Sequence, residues 1–423
     1  MAAEGNEGAF SLSGGGAVAD VLRYRNFLAL WIGQLVSQVG DQFVIIAILV
    51  LINRLTRSTV PVGIVGLCFT APQLLLGLVG GVFVDRWNRK MVMIVSDILR
   101  GLAVLALVMV QDSSQFYILY LVTFVMSAVG VFFAPARNAV IPNIVPERLL
   151  LAGNALIQAS QVIAMILGAS VAGFVVDWLG IGFAFVFDAL TFFVSAVAIT
   201  IMHVPHTTAA RRQDDASKIW AQLKEGLAFI KRNPFLTNLM VITGEATFGF
   251  AAIFVLGVMH LGDVLGVDAK GFGILYAVEG LGVVIGGTIL TRFLSRVKTN
   301  WVVAICMVSL GLSIIAFAAA PSYALVMVSM VVIGLSIVSA RAALATLTQA
   351  LVPDEKRGRV ESAVAMVMGA STSASTGLAG LFGELIGVQA VFFAAGVITA
   401  AAGIGAGYVL SGAEDIVADG GLK

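Results

Sequence analysis

The chain has 423 residues, of which 59% are hydrophobic and only 12% are charged, whereas soluble domains carry about 25% charged residues. This composition excludes a soluble globular protein and indicates an integral membrane protein. The net charge of +1 provides no excess of positive charge for binding nucleic acid. Residues 1–19 are Gly-rich and acidic and lack the pattern of a signal peptide, so we interpret them as a cytoplasmic tail.

Twelve apolar segments are each long enough to cross a bilayer as a helix, which takes about 20 residues. They occupy residues 27–52, 62–84, 91–111, 116–137, 151–176, 179–203, 236–262, 271–293, 300–319, 322–346, 359–386 and 388–410. The sequence therefore predicts an all-α membrane protein with twelve transmembrane helices. Because the number of spans is even, both ends of the chain lie on the same side of the membrane in this prediction.

Basic residues predict which side that is. Of the 25 Lys and Arg residues, twenty lie in the loops and tails on the side of both termini. Only Arg54, Arg57 and Lys270 lie in the opposite loops, while Arg100 is within a span and Lys423 ends the chain. Because Lys and Arg concentrate in cytoplasmic loops, both termini are predicted to be cytoplasmic.

The longest loop divides the chain into two bundles of six helices. We predict a cytoplasmic tail (1–26), an N-terminal bundle (27–203), a linker (204–235), a C-terminal bundle (236–410) and a second cytoplasmic tail (411–423). In the linker, apolar residues recur at helical spacing: Ile219, Leu223, Leu227 and Ile230. This pattern favours an amphipathic helix on the inner leaflet, with a solvated linker helix as the alternative.

The two bundles repeat each other in sequence at an offset of about 205 residues. Arg25-Asn26 recurs as Arg232-Asn233, and Ala136-Arg137 recurs as Ala340-Arg341. Parallel repeats of this kind are known in secondary transporters, where the substrate site lies near the bilayer midplane between them.

The loop after the second span carries an ordered pattern of glycine and charge: Gly81, Asp85, Arg86, Arg89 and Lys90. This pattern resembles the signature loop of the major facilitator superfamily. The runs Phe27–Gly40, Phe133–Asn154, Phe187–Ser195 and Gly358–Val360 are similar to bacterial drug:proton antiporters of the macrolide-efflux type, a group that includes siderophore exporters. The resemblance implies the major facilitator fold. It also implies that these loop residues help to gate the transporter. Arg137 and Arg341 close spans four and ten on the cytoplasmic side, where they belong to the inner gate or anchor the helix ends.

Asp41 is the first ionisable residue inside a span. Together with Gln34, Ser37 and Gln38 it forms one polar helix face, which must meet water or another helix. A carboxyl group at that depth suits proton coupling, because desolvation disfavours its charged form. The alternative is a carboxyl group that only fixes helix packing.

Three further residues extend this predicted site. Glu245 follows Gly244 in span seven as Asp41 follows Gly40, and span eight carries Glu279 one turn after Tyr276. Either glutamate is a candidate for coupling protons or for attracting a cationic substrate, with a structural role as the alternative.

Two more charged groups lie in the third span and one in the sixth. Asp97 and Arg100 are three residues apart and can pair on one helix face. We favour structural charge neutralisation for this pair. For Asp188, in span six, the sequence leaves the role open.

The sequence thus predicts a proton-coupled secondary transporter that exports amphipathic small molecules across the bacterial inner membrane. The alternatives are export of a siderophore, movement of a lysophospholipid, or a membrane sensor. No phosphate-binding loop, metal cluster or nucleophile–base set is recognisable, so we expect no enzyme activity, cofactor or metal. A monomer in the lipid bilayer is expected, with protons and the substrate as partners.

Overall fold

A computed structural model describes residues 14–56, 58–204, 216–290 and 297–411. Side chains are described throughout these ranges except at 14–16, 78–79, 81–82, 85, 216–223, 289–290 and 354. Every regular element in these ranges is a helix, and twelve of the helical segments are long and apolar enough to span a membrane. The predicted all-α fold with twelve spans is confirmed.

Spans one to six form the first half of the molecule. They are Arg25–Leu55, Val60–Arg86, Arg89–Leu105, Phe116–Ile144, Leu150–Leu179 (with a π-helical turn at Ala164–Gly168) and Ile181–Ile201. Several run past the predicted ends, because a helix continues into the headgroup layer wherever its backbone remains hydrogen-bonded. Span one packs on span six, span two on span four, and span three on both span four and span six.

Spans seven to twelve form the second half. They are Pro234–Leu265, Ala269–Ile285 (followed by a π-helical turn at Gly286–Leu290), Thr299–Ala318, Tyr323–Leu351, Asp354–Ile386 and Val388–Val409. The helix Ala216–Arg232, here called the linker helix, precedes span seven and packs mainly on span eleven. A short helix, Gly14–Leu22, precedes span one.

The two halves touch mainly along two helix pairs, spans two and eleven and spans five and eight, with smaller contacts of span seven on spans one and two. Gly63 and Gly380 bring the first pair into backbone contact, since a Cβ atom on Gly380 would lie 2.6 Å from the Gly63 Cα. Thr59 donates to the Gly380 carbonyl oxygen at 2.7 Å, and Ser58 donates to Glu384 at 2.8 Å. These contacts all lie at one end of the bundle.

The other end, which we call the basic end, carries Lys90, Lys356 and Arg359. Toward this end spans two and eleven are packed less closely among the described residues, since a Cβ atom added to Gly77 of span two or Gly358 of span eleven would meet no described atom within 4 Å. The close contacts described between spans two and eleven therefore lie toward the end with few basic residues.

Candidate functional site

Four charged side chains meet inside the first half, near the middle of three spans. Arg100 and Asp97 on span three form an ion pair, with Arg100 Nη2 2.5 Å from Asp97 Oδ1. Asp188 on span six lies against the backbone of span one at Gly40, the residue before Asp41. The charges of Asp41 and Asp188 are near enough to that of Arg100 to influence each other's protonation. We call these four residues the carboxyl cluster. It unites Asp41 with the pair that sequence analysis treated separately, and adds Asp188.

Gly40 allows Asp188 to reach span one. A Cβ atom at Gly40 would collide with Asp188 Oδ1 and Thr191 Oγ1, so span six packs directly on the backbone of span one. The Thr191 hydroxyl lies 2.7 Å from the Asp188 carbonyl oxygen and 3.3 Å from Asp188 Oδ1. Its single proton favours the nearer acceptor, which leaves the Asp188 carboxyl group with little hydrogen bonding.

The carboxyl cluster has more acidic groups than its cation can balance. If all three carboxyl groups were ionised, the single guanidinium of Arg100 would leave two negative charges uncompensated. Uncompensated charge in an apolar interior is costly. Asp97 and Asp188 are fully buried, and the Oδ2 atom of each lacks a hydrogen-bond partner within the described ranges. The arrangement is therefore suited to holding protons.

Asp41 differs from the other two acids because it is partly exposed. It is the one acid of the carboxyl cluster that has accessible surface, since Asp97 and Asp188 have none. The guanidinium of Arg100 is fixed over the rings of Phe192 and Phe133, 4.4 and 5.0 Å from their centroids. A metal ion is a poor fit here, since no three His, Cys, Asp or Glu residues in the described part of the chain lie close enough to hold one.

The remaining polar residues of span one lie mostly between helices. Gln34 and Ser37 are buried, and Gln34 Nε2 is 3.4 Å from the hydroxyl oxygen of Ser195 on span six. Gln38 is partly exposed, although its Oε1 atom is buried and unpartnered within the described ranges. The predicted polar face thus divides between a contact with span six and the more accessible positions at Gln38 and Asp41.

The second half contains a cavity of about 310 Å³ toward the basic end, between spans seven, ten and eleven. It is lined by one cation, one carboxylate, hydroxyl and amide groups, and apolar side chains: Thr243, Ala246, Thr247, Arg341, Leu344, Ala345, Thr348, Gln349, Glu361, Val364, Ala365 and Met368. Its size and mixed lining are typical of sites for small molecules. Sequence analysis singled out only Arg341 among these residues.

Glu245 lies beside a neighbouring cavity of about 370 Å³ between spans seven and eleven. Its Oε1 atom accepts a hydrogen bond from Thr399 at 3.0 Å, whereas its Oε2 atom is buried without a partner among the described residues. Glu279 and Tyr276 border a mainly apolar space of only about 20 Å³ inside the second half. That space is too small for a substrate, so the structure does not bring these three residues to one site.

Arg89 and Lys90, the first two residues of span three, bind the last turns of other helices within the first half. Lys90 Nζ donates to the carbonyl oxygens of Thr200 and Met202 at 2.8 and 2.7 Å, where span six ends. Arg89 Nη1 donates to the Ala139 carbonyl oxygen on span four at 3.2 Å. Cations are favoured at the carbonyl end of a helix, so these contacts hold spans three, four and six together.

The other predicted gate residues lie in different environments. Arg86 is exposed. The surroundings of Gly81 and the side chain of Asp85 lie outside what the structure describes. Arg137 is buried and hydrogen-bonded to Asn138, whereas Arg341 is exposed and lines the cavity of the second half. A gating role for these residues stays a prediction.

Known proteins are similar to this chain over nearly its whole length. The family model of the Major Facilitator Superfamily matches residues 30–296 and 246–417. Macrolide efflux protein A of Streptococcus pyogenes is 25% identical over 88% of this chain and 93% of its own length. Multidrug efflux pump Tap of Mycolicibacterium fortuitum is 25% identical over 87% of this chain and 91% of its own. The uncharacterized transporter YfiS of Bacillus subtilis is 30% identical, with 56% of this chain matching 55% of that protein.

Solved structures with the same fold include two transporters. The nucleoside transporter NupG superimposes with a TM-score of 0.74 at 14% identity, over 91% of this chain and 99% of that chain. A bacterial homologue of the lysosomal transporter Spinster, in an inward-facing conformation, superimposes with a TM-score of 0.72 at 16% identity, over 92% and 98%. At these identities the likeness concerns the fold alone.

Proposed function

Since the chain belongs to the Major Facilitator Superfamily, we propose that it is a proton-coupled exporter of amphipathic small molecules that works by alternating access. The observation that carries this proposal is the carboxyl cluster, three acids sharing one guanidinium in the first half, together with a substrate-sized cavity in the second half. Relatives named for macrolide and multidrug efflux support the substrate class. We assign residues 27–203 and 236–410 to the two moving bundles and 204–235 to the linker between them.

In this mechanism the substrate enters the cavity of the second half from the basic end. Its apolar parts contact Leu344 and Met368, and its polar groups reach Arg341 or Glu361. The halves then rock, closing the basic end and separating the Gly63–Gly380 contact. Protons reach Asp41 from the newly opened side and neutralise the carboxyl cluster, which favours return to the conformation described here.

The direction of transport rests on orientation. We propose that the basic end faces the cytoplasm of a bacterial cell, because basic loops are retained there. The conformation is then inward-open, which is the side from which an exporter loads its substrate.

Cysteine labelling tests the orientation. A cysteine at Ser113, an exposed position at the end opposite the basic one, should react with a membrane-impermeant maleimide on intact cells. A cysteine at Lys224, exposed on the linker helix, should react only after the cells are broken. The reverse pattern would place the basic end outside and turn the proposed exporter into an importer.

Inverted membrane vesicles test the transport activity. When an inward proton pump acidifies their interior, vesicles containing this protein should accumulate radiolabelled erythromycin or ethidium several times faster than vesicles without it. The accumulation should collapse when nigericin dissipates the pH gradient. Uptake that ignores nigericin, with the membrane potential clamped, would exclude proton coupling.

A further inference from the structure

A second cavity lies at the basic end, away from the carboxyl cluster. It has a volume of about 210 Å³ and lies between the linker helix and the first turns of span eleven. It is lined by Glu225, Gly226, Ala228, Phe229, Arg232, Lys356, Arg359 and Val360. We call it the linker pocket. At about 30 Å³ for each water-sized group, it has room for roughly seven such groups.

The linker pocket is strongly cationic. Three cations and one carboxylate line it, which leaves two positive charges in excess. Arg359 pairs with Glu225, but Arg232 and Lys356 have no anionic partner among the described residues. The Lys356 ammonium lies 4.2 Å from the centre of the Phe229 ring, which holds it in place without neutralising it. Within the described part of the chain, the pocket therefore presents two cations without an anionic partner.

The surrounding charges do not cancel this excess. Lys224 and Lys231 are exposed on the linker helix outside the pocket, and Glu355 is exposed on span eleven. Arg357 points toward span ten, where its Nη2 atom donates to the Gln349 carbonyl oxygen at 3.0 Å. Gly226 sets the geometry, because a Cβ atom there would lie 2.8 Å from the Arg359 carbonyl oxygen, so the two helices cross in close contact.

The position of the linker pocket along the membrane normal indicates which anion is available to it. Span eleven has 33 residues, which makes it about 50 Å long at ~1.5 Å per residue, whereas the hydrocarbon core is about 30 Å thick. Its other end contacts span two within two turns of its last residue. The first turns of span eleven, with Lys356 and Arg359, therefore lie in the headgroup layer.

We propose that the linker pocket binds the phosphodiester headgroup of an anionic phospholipid, with Arg232 and Lys356 as its main ligands. Basic pockets between membrane helices suit such headgroups. The acyl chains would extend into the bilayer beside span eleven. A bound headgroup bridges the linker helix and span eleven. It thereby anchors the linker helix, which lies in the segment between the two halves, to the second half.

The test is a lipid titration of the detergent-purified full-length protein, followed by native mass spectrometry. Phosphatidylglycerol should bind at least about tenfold more tightly than phosphatidylcholine. Arg232→Gln with Lys356→Gln should weaken phosphatidylglycerol binding by about tenfold or more. The matched control, Lys224→Gln with Lys231→Gln, removes the same charge outside the pocket and should change binding less than about twofold.

A third variant gives a change in the opposite direction. Glu225→Gln removes the carboxylate that lines the linker pocket and releases Arg359, so it should tighten phosphatidylglycerol binding. Equal losses in the pocket variant and its control would reduce the effect to general surface charge and overturn the proposal. The proposal would also be overturned if soluble glycerol phosphate displaced phosphatidylglycerol as well as phosphatidylglycerol itself does. It would likewise be overturned if phosphatidylglycerol bound only after deletion of residues 412–423, which contain Glu414, Asp415 and Asp419. None of these measurements depends on transport, so they stand apart from the proposed export activity.

Discussion

Asp41→Asn is expected to lower the accumulation of erythromycin driven by a pH gradient by about tenfold or more, while the protein still folds. Asparagine keeps the shape of the side chain but cannot take up a proton. Asp41 is the partly exposed member of the carboxyl cluster, so in the proposed mechanism its loss removes the group through which protons reach Asp97 and Asp188. The measurement is initial uptake into inverted vesicles with equal amounts of protein in the membrane.

Two comparisons make that result specific. Asp177→Asn removes an exposed carboxyl group from span five, outside the carboxyl cluster, and should transport like the unmodified protein. Exchange of labelled for unlabelled erythromycin across the membrane, with no pH gradient, requires rocking without net proton movement and should survive in Asp41→Asn. A variant that accumulates erythromycin at the normal rate would remove Asp41 from the coupling mechanism.

Arg100→Met should strongly destabilise the first half. Arg100 is the cation paired with the fully buried Asp97, and removing one partner of a buried pair typically costs about 3–5 kcal/mol. In detergent the melting temperature should fall by roughly 5–10 °C. The loss should be smaller at pH 5.5 than at pH 8, because protonation of the stranded carboxyl groups removes their uncompensated charge.

The matched variants separate charge from packing. Arg100→Met combined with Asp97→Asn removes the charges of both partners and should recover most of the lost melting temperature. Arg148→Met, at an exposed arginine, should leave the melting temperature nearly unchanged. If Arg100→Met alone melted like the unmodified protein, the argument that Arg100 compensates the buried acids would fail.

Part of the proposed site was visible in the sequence. A carboxyl group inside an apolar span has few explanations, so Asp41, Glu245 and Glu279 were found without a structure. Asp97 and Arg100 were recognised as a pair because they lie one turn apart on one helix. Each of these inferences uses only local information, namely the position of a polar residue along a single helix.

Asp188 shows where that reasoning stops. It approaches span one only because Gly40 lacks a side chain at the crossing, and the sequence does not show which face of span six meets span one. The same limit applies to Gln34 and Ser37, which were placed on one polar helix face and are buried, with Gln34 beside span six. Glu279 and Tyr276 were expected in a substrate cavity, yet they border a space of about 20 Å³.

The sequence by itself determined the twelve spans and the repeat, because a backbone in hydrocarbon must satisfy its hydrogen bonds within each helix and so depends on local composition. Only the tertiary structure decided which helix faces meet. The carboxyl cluster, the cavity of the second half and the linker pocket each combine residues from separate segments, such as Glu225 and Arg359, which are 134 positions apart. Contacts between membrane helices depend on close packing at small residues, and this packing, rather than hydropathy, brings their charges together.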